Sequence, residues 1–390
     1  MFVSSLEHES NVIYFDNAAS TFPKPLSVIE AMSECMIGYA ANPGRSGHKL
    51  SIKAGQILFD TRMKLAKYFG TENPMRVIFD MNATSVLNLA IKGFAYKGLH
   101  VITTSLEHNS TIRPLMRLQD DGIIEVDILQ GNRNGVISID ELEDARRGDT
   151  KLLVINHASN VTGATQNLLK VCRWCRKNDI VSIVDASQSA GSCDIDINKE
   201  HIDILCLTGH KSMLGPMGVG AMIINDSFDY RRIKPLKEGG TGSLSDAITQ
   251  PTFLPDIFES GTPNVPAIAA LGKAIDFIGE HGNDIGNKKD GLKRYFISRA
   301  REIKGLKVYT TKDKRAVVSF VIKNIPCSTI TQILSEEYNI MSRQGLHCSP
   351  LTHKRIGTFP SGTVRFSFSY FNELWQVEKA IEALKEIKCR

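Results

Sequence analysis

The sequence predicts an α/β protein: a largely parallel sheet flanked by helices, followed by a smaller α/β domain. Three observations lead there. Short β-branched runs alternate with helical patterns over the first two thirds of the chain. Around residues 225–265 this alternation breaks into loops rich in Gly, Pro, Ser and Thr. Polar residues also follow directly after the apolar runs, at the strand ends where sheets of this class bind ligands.

Seven runs have the composition of buried strands: Val77–Phe79, Val101–Thr104, Ile123–Ile128, Leu152–Asn156, Val181–Asp185, Ile204–Thr208 and Gly220–Ile224. Ser85–Ala95 and Leu168–Asn178 are the clearest helical stretches between them. From Val265 a helix of alternating charge is expected to about Ile303. Strands near Val308–Thr310 and Val317–Ile322, a helix near Thr329–Tyr338, a strand near Thr363–Phe368 and a last helix over Glu373–Ile387 then complete a second domain.

Composition excludes several classes. The 390 residues are 42% hydrophobic and 23% charged, with 30 glycines and 14 prolines, which is ordinary for a globular chain. The net charge is +5, and the basic stretch Lys288–Arg301 is interleaved with Leu292, Tyr295, Phe296 and Ile297. It reads as the solvated face of a helix, and no nucleic-acid partner is expected. No run of 18 apolar residues occurs, so no membrane span is expected. Met1–Asn11 carries Glu7 and Glu9 and no apolar stretch, so no secretory signal is expected. The 8 cysteines lack a framework spacing and read as reduced thiols of a cytosol. Cys172 and Cys175 fit two positions on one helix face better than a redox or metal pair, and no metal site is expected.

Four strand ends carry candidates for chemistry. After Thr208 comes the glycine-rich Gly209-His-Lys-Ser-Met-Leu-Gly-Pro-Met-Gly-Val-Gly220. Lys211 there is either a hydrated surface ammonium or a desolvated amine able to form a Schiff base. Asp185 closes the run Val181–Asp185 and is either a loop cap or the counter-charge of a protonated ring nitrogen, with Gln188 near enough to serve a phenolic oxygen. His108, in Leu106-Glu-His-Asn109, is either a polar loop residue or a ring that lies on an aromatic cofactor. Thr84 and Ser85 open a helix and offer an ordinary cap or a phosphate cradle.

In this order the motifs resemble the class V aminotransferases of the pyridoxal-phosphate (PLP) fold-type I superfamily. Tyr14-Phe-Asp-Asn-Ala-Ala-Ser20, Asn42-Pro-Gly-Arg-Ser-Gly-His48, Asn156-His-Ala-Ser-Asn160, Glu259-Ser-Gly-Thr-Pro-Asn264 and Val364-Arg-Phe-Ser367 extend the likeness from about residue 13 to residue 387. The resemblance implies a large PLP-binding domain over residues 15–262 and a small domain over 263–390, with residues 1–14 packing nearby. It implies pyridoxal 5'-phosphate as cofactor, with Lys211 the Schiff-base lysine, Asp185 the partner of the pyridine nitrogen and His108 stacked on the ring. Asn160 and Gln188 would hold the ring's 3-oxygen. Thr84, Ser85, Thr208 and His210 would hold the phosphate, and Thr262 would reach the phosphate of a partner subunit in a homodimer. Arg365 would clamp the substrate carboxylate, with Arg343 and His48 also on the substrate side.

Cys348, in Arg343-Gln-Gly-Leu-His-Cys-Ser-Pro350, decides the expected reaction type. The segment resembles the active-site loop of group II cysteine desulfurases and selenocysteine lyases. Arg343 and His347 are expected to favour its thiolate. The implied activity is removal of sulfur from L-cysteine, giving L-alanine and a persulfide on Cys348, with a sulfur-acceptor protein as partner and iron–sulfur cluster assembly as setting. His108 would be an acid/base near the sulfur. Ala83-Thr84-Ser85-Val86 stands where these enzymes have a Gly-Thr-Thr-Glu-like loop, and Leu346-His347-Cys348-Ser349 where they have His-His-Cys-Ala. The alternatives are a selenocysteine lyase, an aminotransferase or another amino-acid lyase with the same cofactor, and a binding module that retains the fold. A nucleotide-binding oxidoreductase would need a G-x-G-x-x-G turn, which neither Gly215-Pro-Met-Gly218 nor Gly239-Gly-Thr-Gly242 supplies.

Overall fold

The structure is a computed structural model that describes residues 12–44 and 46–389. Met1–Asn11 therefore lies outside the described residues, and with it the expectations about a signal and about most of residues 1–14. Arg45 of the Asn42–His48 motif is outside them too.

The strands are β1 (Ile13–Tyr14), β2 (Val77–Asp80), β3 (Leu99–Thr104), β4 (Ile124–Leu129), β5 (Thr150–Asn156), β6 (Val181–Asp185), β7 (Ile204–Thr208), β8 (Gly220–Ile224), β9 (Leu306–Tyr309), β10 (Val317–Ile322), β11 (Ile340–Met341), β12 (Arg343–Gly345) and β13 (Thr363–Ser367). The helices are α1 (Leu26–Gly38), α2 (Lys49–Phe69), α3 (Ala83–Phe94), α4 (Asn109–Asp120), α5 (Ile139–Ala145), α6 (Leu168–Lys177), α7 (Val265–Ala300), α8 (Cys327–Tyr338), α9 (Pro350–Ile356) and α10 (Leu374–Cys389). Each of the seven expected strand runs is a strand of one sheet, in the order β2-β8-β7-β6-β5-β3-β4.

That sheet is parallel except for β8, which runs against both its neighbours. The reason is local. The loop Gly209–Val219 between β7 and β8 holds no crossover helix, so β8 returns antiparallel beside the strand it came from. Except between β6 and β7, where residues 186–203 run through turns, helices carry the crossovers elsewhere. Their starts are fixed by side-chain caps: the Asn82 side chain accepts from Ser85 N at 3.0 Å at α3, and Ser138 and Glu141 form a reciprocal capping box at α5. Ile78, Val86, Leu87, Ile91, Val101, Leu152, Ile183, Ile204 and Met222 fill the core between sheet and helices. Each such side chain contributes about 1.5–3 kcal/mol when fully buried.

The chain forms two compact units. The larger comprises Lys24–Ser159 and Thr165–Gly282; the smaller comprises Asn160–Ala164, the chain from Asn283 onward and the segment before Lys24. The smaller unit has an antiparallel sheet in the order β12-β13-β10-β9 and a separate parallel pair, β1 with β11. Its core is aromatic: Phe15, Phe296, Phe320, Phe366 and Phe368 pack edge to face or tilted, with centroids 5.0–6.0 Å apart.

Lys288–Arg301 is helical, as expected, but it is not a uniformly solvated face. Lys293 is 2% exposed and donates to the carbonyls of Thr311 and Asp313 at 2.9 and 2.5 Å. Burial pushes its ammonium down to about 8. No helix among the described residues is long and apolar enough to cross a membrane. Cys172 and Cys175 are both buried on α6 as free thiols, and desolvation raises both well above the ordinary thiol value, so they are inert packing residues.

Candidate active site

In the larger unit, four parallel strands end on polar groups. Asp185 ends β6 and is 2% exposed; its Oδ1 accepts from Ser187 N at 2.9 Å and Ser187 Oγ at 2.5 Å. It is in register with Asn156 at the end of β5. Thr208 ends β7, and its buried Oγ1 has no hydrogen-bond partner among the described residues. Beyond β3, His108 caps α4 through Nδ1, which accepts from Ser110 N at 3.1 Å.

Lys211 and His210 follow Thr208 and are both half-buried. Their loop closes on its own backbone: Gly209 N donates to Val219 O at 2.9 Å, Gly215 N to Gly209 O at 2.8 Å and Leu214 N to Lys211 O at 2.9 Å. Gly220 is required at its end, because a Cβ there would sit 2.6 Å from the backbone of Asn82. Burial, helped by the Lys211 and Lys24 ammoniums, pushes the His210 imidazole down to about 4, so it is neutral at pH 7. Lys24 was not among the expected site residues. Its Nζ donates to the His210 carbonyl at 2.7 Å, and burial pushes it down to about 8. The signal for it was a lone lysine between two prolines, Pro23 and Pro25.

Thr84 and Ser85 lie in the first turn of α3, where the Ser85 amide is engaged by Asn82 and that of Thr84 remains toward the helix start. Gln188 is half-buried three residues beyond Asp185. Thr262 is exposed, and its Oγ1 accepts from Asn42 Nδ2 at 3.3 Å. It lines a cavity of about 990 Å³ with Arg62, Phe59, Met81, Met217 and Glu259. His48 is exposed and caps α2, its Nδ1 accepting from Ser51 N at 3.2 Å.

The smaller unit holds the remaining candidates as a tight network. Cys348 is half-buried, and both it and His347 have left-handed backbone, with φ of 58° and 49°. Asn160 braces the turn from both sides: its Nδ2 donates to His347 O at 2.7 Å and its Oδ1 accepts from Ser349 Oγ at 2.8 Å. Gly362 must be glycine beside it, since a Cβ would lie 2.3 Å from the Gly345 backbone. Arg343 Nη2 donates to Cys348 Sγ at 3.4 Å. Arg365 is fully buried; Nη2 pairs with Asp16 at 2.5 Å, Nη1 donates to Asn160 O at 3.1 Å, and Nε has no acceptor among the described residues.

The expectation that His347 favours the thiolate does not hold. Its ring is buried, Nε2 meets Thr363 Oγ1 at 3.0 Å, and desolvation pushes it down to about 2. It carries no charge at pH 7, so Arg343 is the cation at the sulfur. Among the described residues, no group of His, Cys, Asp and Glu could hold a metal ion.

Comparison with known proteins places nearly the whole chain in a family. The class-V aminotransferase model matches residues 13–380. A probable cysteine desulfurase of Pyrococcus abyssi is 33% identical, covering 96% of this chain and 94% of its own. One from Methanothermobacter thermautotrophicus is 31% identical with the same coverage. An apo structure of a cysteine desulfurase from Thermococcus onnurineus is 29% identical, covers 97% of this chain and 95% of its own, and superposes with a TM-score of 0.90. The Escherichia coli cysteine desulfurase CsdA, 22% identical with a TM-score of 0.86, shares the fold. The chain belongs to the class-V aminotransferase family, is cysteine desulfurase-like within it, and has the PLP fold type I that the family implies.

Proposed function

We propose that this protein is a PLP-dependent cysteine desulfurase that takes sulfur from L-cysteine as a persulfide on Cys348 and releases L-alanine. The observation that carries the proposal is the Arg343 guanidinium on the sulfur of Cys348, in a turn braced by Asn160. An aminotransferase has no use for a thiol held in this way.

The cofactor that the family implies fits the residues present. Thr208 Oγ1 is a buried hydroxyl without a partner among the described residues, as a phosphate site needs. With Thr84, Ser85 and His210 it forms the proposed phosphate cradle, and Thr262 is offered to the phosphate of a second copy. Asp185 supplies a carboxylate for a ring nitrogen, Lys211 an amine for an aldehyde, and His108 an imidazole for the ring face. Gln188, and the second amide hydrogen of Asn160, serve the 3-oxygen. When bound, PLP supplies a ring that accepts the electron pair left on Cα of an amino acid.

The chain's own groups do the rest. Arg365 Nε, together with Arg343, receives the substrate carboxylate, and His48 lies on the substrate side. Lys211 Nζ takes the Cα proton. Cys348 attacks the substrate sulfur; an S–S bond forms as the Cβ–S bond breaks, and its electron pair stays with Cβ. Protons complete the methyl group of alanine, and His108 is the proposed proton carrier. The persulfide then passes to an acceptor protein, in the setting of iron–sulfur cluster assembly. Phe59, Met81 and Met217 are exposed along the cavity at Thr262 and support a homodimer. Eight free thiols fit a reducing cytoplasm.

The test adds L-cysteine and a reductant to the purified protein and measures alanine and sulfide. Equal yields of both, lost in Cys348→Ala while the visible absorption of bound cofactor persists, support the proposal. Pyruvate from alanine, with no sulfide from cysteine, would instead identify an aminotransferase. Faster turnover of selenocysteine with Cys348→Ala still active would identify a selenocysteine lyase.

A further inference from the structure

Next to His108 lies a buried acid for which the proposed chemistry has no use. Glu107 is 0% exposed, and no ion pair among the described residues includes it. Its Oε1 accepts from Asn156 N at 2.9 Å and from Thr104 Oγ1 at 2.7 Å. Its Oε2 is buried and makes no hydrogen bond of ordinary geometry among the described residues; the Thr111 hydroxyl on α4 is the donor that acts on this carboxyl from that side. Asn156 Nδ2 in turn donates to the Leu106 carbonyl at 2.9 Å, so the ends of β3 and β5 are laced together through this one residue pair. Asn156 stands in register with Asp185.

An ionised carboxylate in this position would be buried without a cation among the described residues, with only neutral donors around it, a costly state. A carboxylic acid avoids that cost and gives Oε2 a proton to donate. Asp185 acts on it as a like charge, and two such groups do not both ionise readily. We propose that Glu107 is an uncharged positioning residue: its acid group ties the end of β3 to the end of β5, holds His108 and Asp185 in place, and leaves the negative charge of the buried pair on Asp185 alone. This rests on the proposed role of those two residues toward PLP.

Titration agrees with the geometry. Burial pushes the Glu107 carboxyl up to about 8, with Asp185 adding to the rise, against the lowering effect of the Asn156 amide and the Thr104 and Thr111 hydroxyls. The groups facing it are Asp185 from β6, Asn156 from β5, Thr111 from α4 and Thr104 from the end of β3. Of these, Asp185 is the ionisable one.

Infrared difference spectra of the cofactor-loaded protein at pH 7, parent minus Glu107→Gln, test the protonation directly. The expected result is a protonated-carboxyl C=O band in the parent that the variant lacks. In parallel, Glu107→Gln keeps kcat/KM within ~3-fold and the pH midpoint of the cofactor's absorption unchanged, because glutamine is the neutral isostere. Glu107→Leu lowers kcat/KM by roughly 100-fold and moves that midpoint, as misplacement of the ring-binding groups would. Absence of the band, or Glu107→Gln as damaging as Glu107→Leu, overturns the inference. If Glu107→Leu does not fold, the band and the glutamine variant still decide. A parent that binds no PLP at all would refute the proposed function instead, and the infrared band would still report the state of Glu107.

Discussion

The Lys211 loop and the Cys348 turn reach comparable exposure by opposite means. The first is closed by main-chain hydrogen bonds among glycines, Gly209 to Val219 and Gly215 to Gly209. The second is closed by side chains: Asn160 spans it, Ser349 answers Asn160, and Thr363 fixes the ring of His347. A loop closed by backbone tolerates change of the side chain it presents, whereas a turn closed by side chains fails when its braces are removed. The polar atom left over also differs. Near Lys211 the Thr208 hydroxyl is left over, suited to a bound anion; in the smaller unit Arg365 Nε is among the atoms left over, with Ser342 Oγ, His347 Nδ1 and His353 Nε2, and is the charged donor suited to a carboxylate.

The largest expected effect follows from this contrast. Lys211→Ala should cost about 10⁴-fold in turnover and abolish the visible absorption of bound cofactor, while circular dichroism and thermal stability stay near parent values. A large loss of stability would show that the lysine, and not only the backbone, holds the loop. Cys348→Ala comes next, with sulfide release down about 10³-fold and the cofactor spectrum retained; desulfuration at the parent rate would remove Cys348 as acceptor.

Asn160→Ala probes the braced turn. Loss of two hydrogen bonds at Cys348 should lower turnover by roughly 100-fold and cost about 1–3 kcal/mol in stability, read from denaturant midpoints. Arg343→Gln removes the charged donor at the sulfur and should slow iodoacetamide labelling of Cys348 by about 10-fold at pH 7. An unchanged rate would show that the contact does not favour the anionic sulfur.

The smallest effect concerns acid. His347 and His353 are held neutral, at about 2 and about 4 against 6.5 for a free imidazole. Below 6.5 the unfolded chain binds protons that the folded one does not, so both histidines stabilise the fold above 6.5, and that contribution fades as pH falls toward about 4 for His353 and about 2 for His347. Melting temperature should therefore drop over this window, and His353→Gln should make the drop shallower. An unaltered slope would place the acid sensitivity elsewhere.

Most strands were legible because burial on both faces of a parallel sheet demands uninterrupted β-branched runs, as in Ile183 and Val184 of β6. Asp185 was legible for a related reason, since it breaks such a run at its end, and Lys211 was legible from the glycine-rich loop that follows another run. Helix starts shifted by a residue or two, since caps such as Asn82 depend on backbone angles. Glu107 carries no local sign of its burial, because nothing in Leu106-Glu-His-Asn109 distinguishes a buried glutamate from a solvated one.

By itself the sequence determined the alternation of strands and helices, the order of polar groups along the strand ends and the glycines of the Lys211 loop, all properties of near neighbours in the chain. Only the tertiary structure decided that Lys293 is buried, that His347 is neutral, that Glu107 has no cation among the described residues and that Arg365 pairs with Asp16, 349 residues away. Charge state and pairing depend on which groups share a water-free space, and only the folded chain brings those groups together.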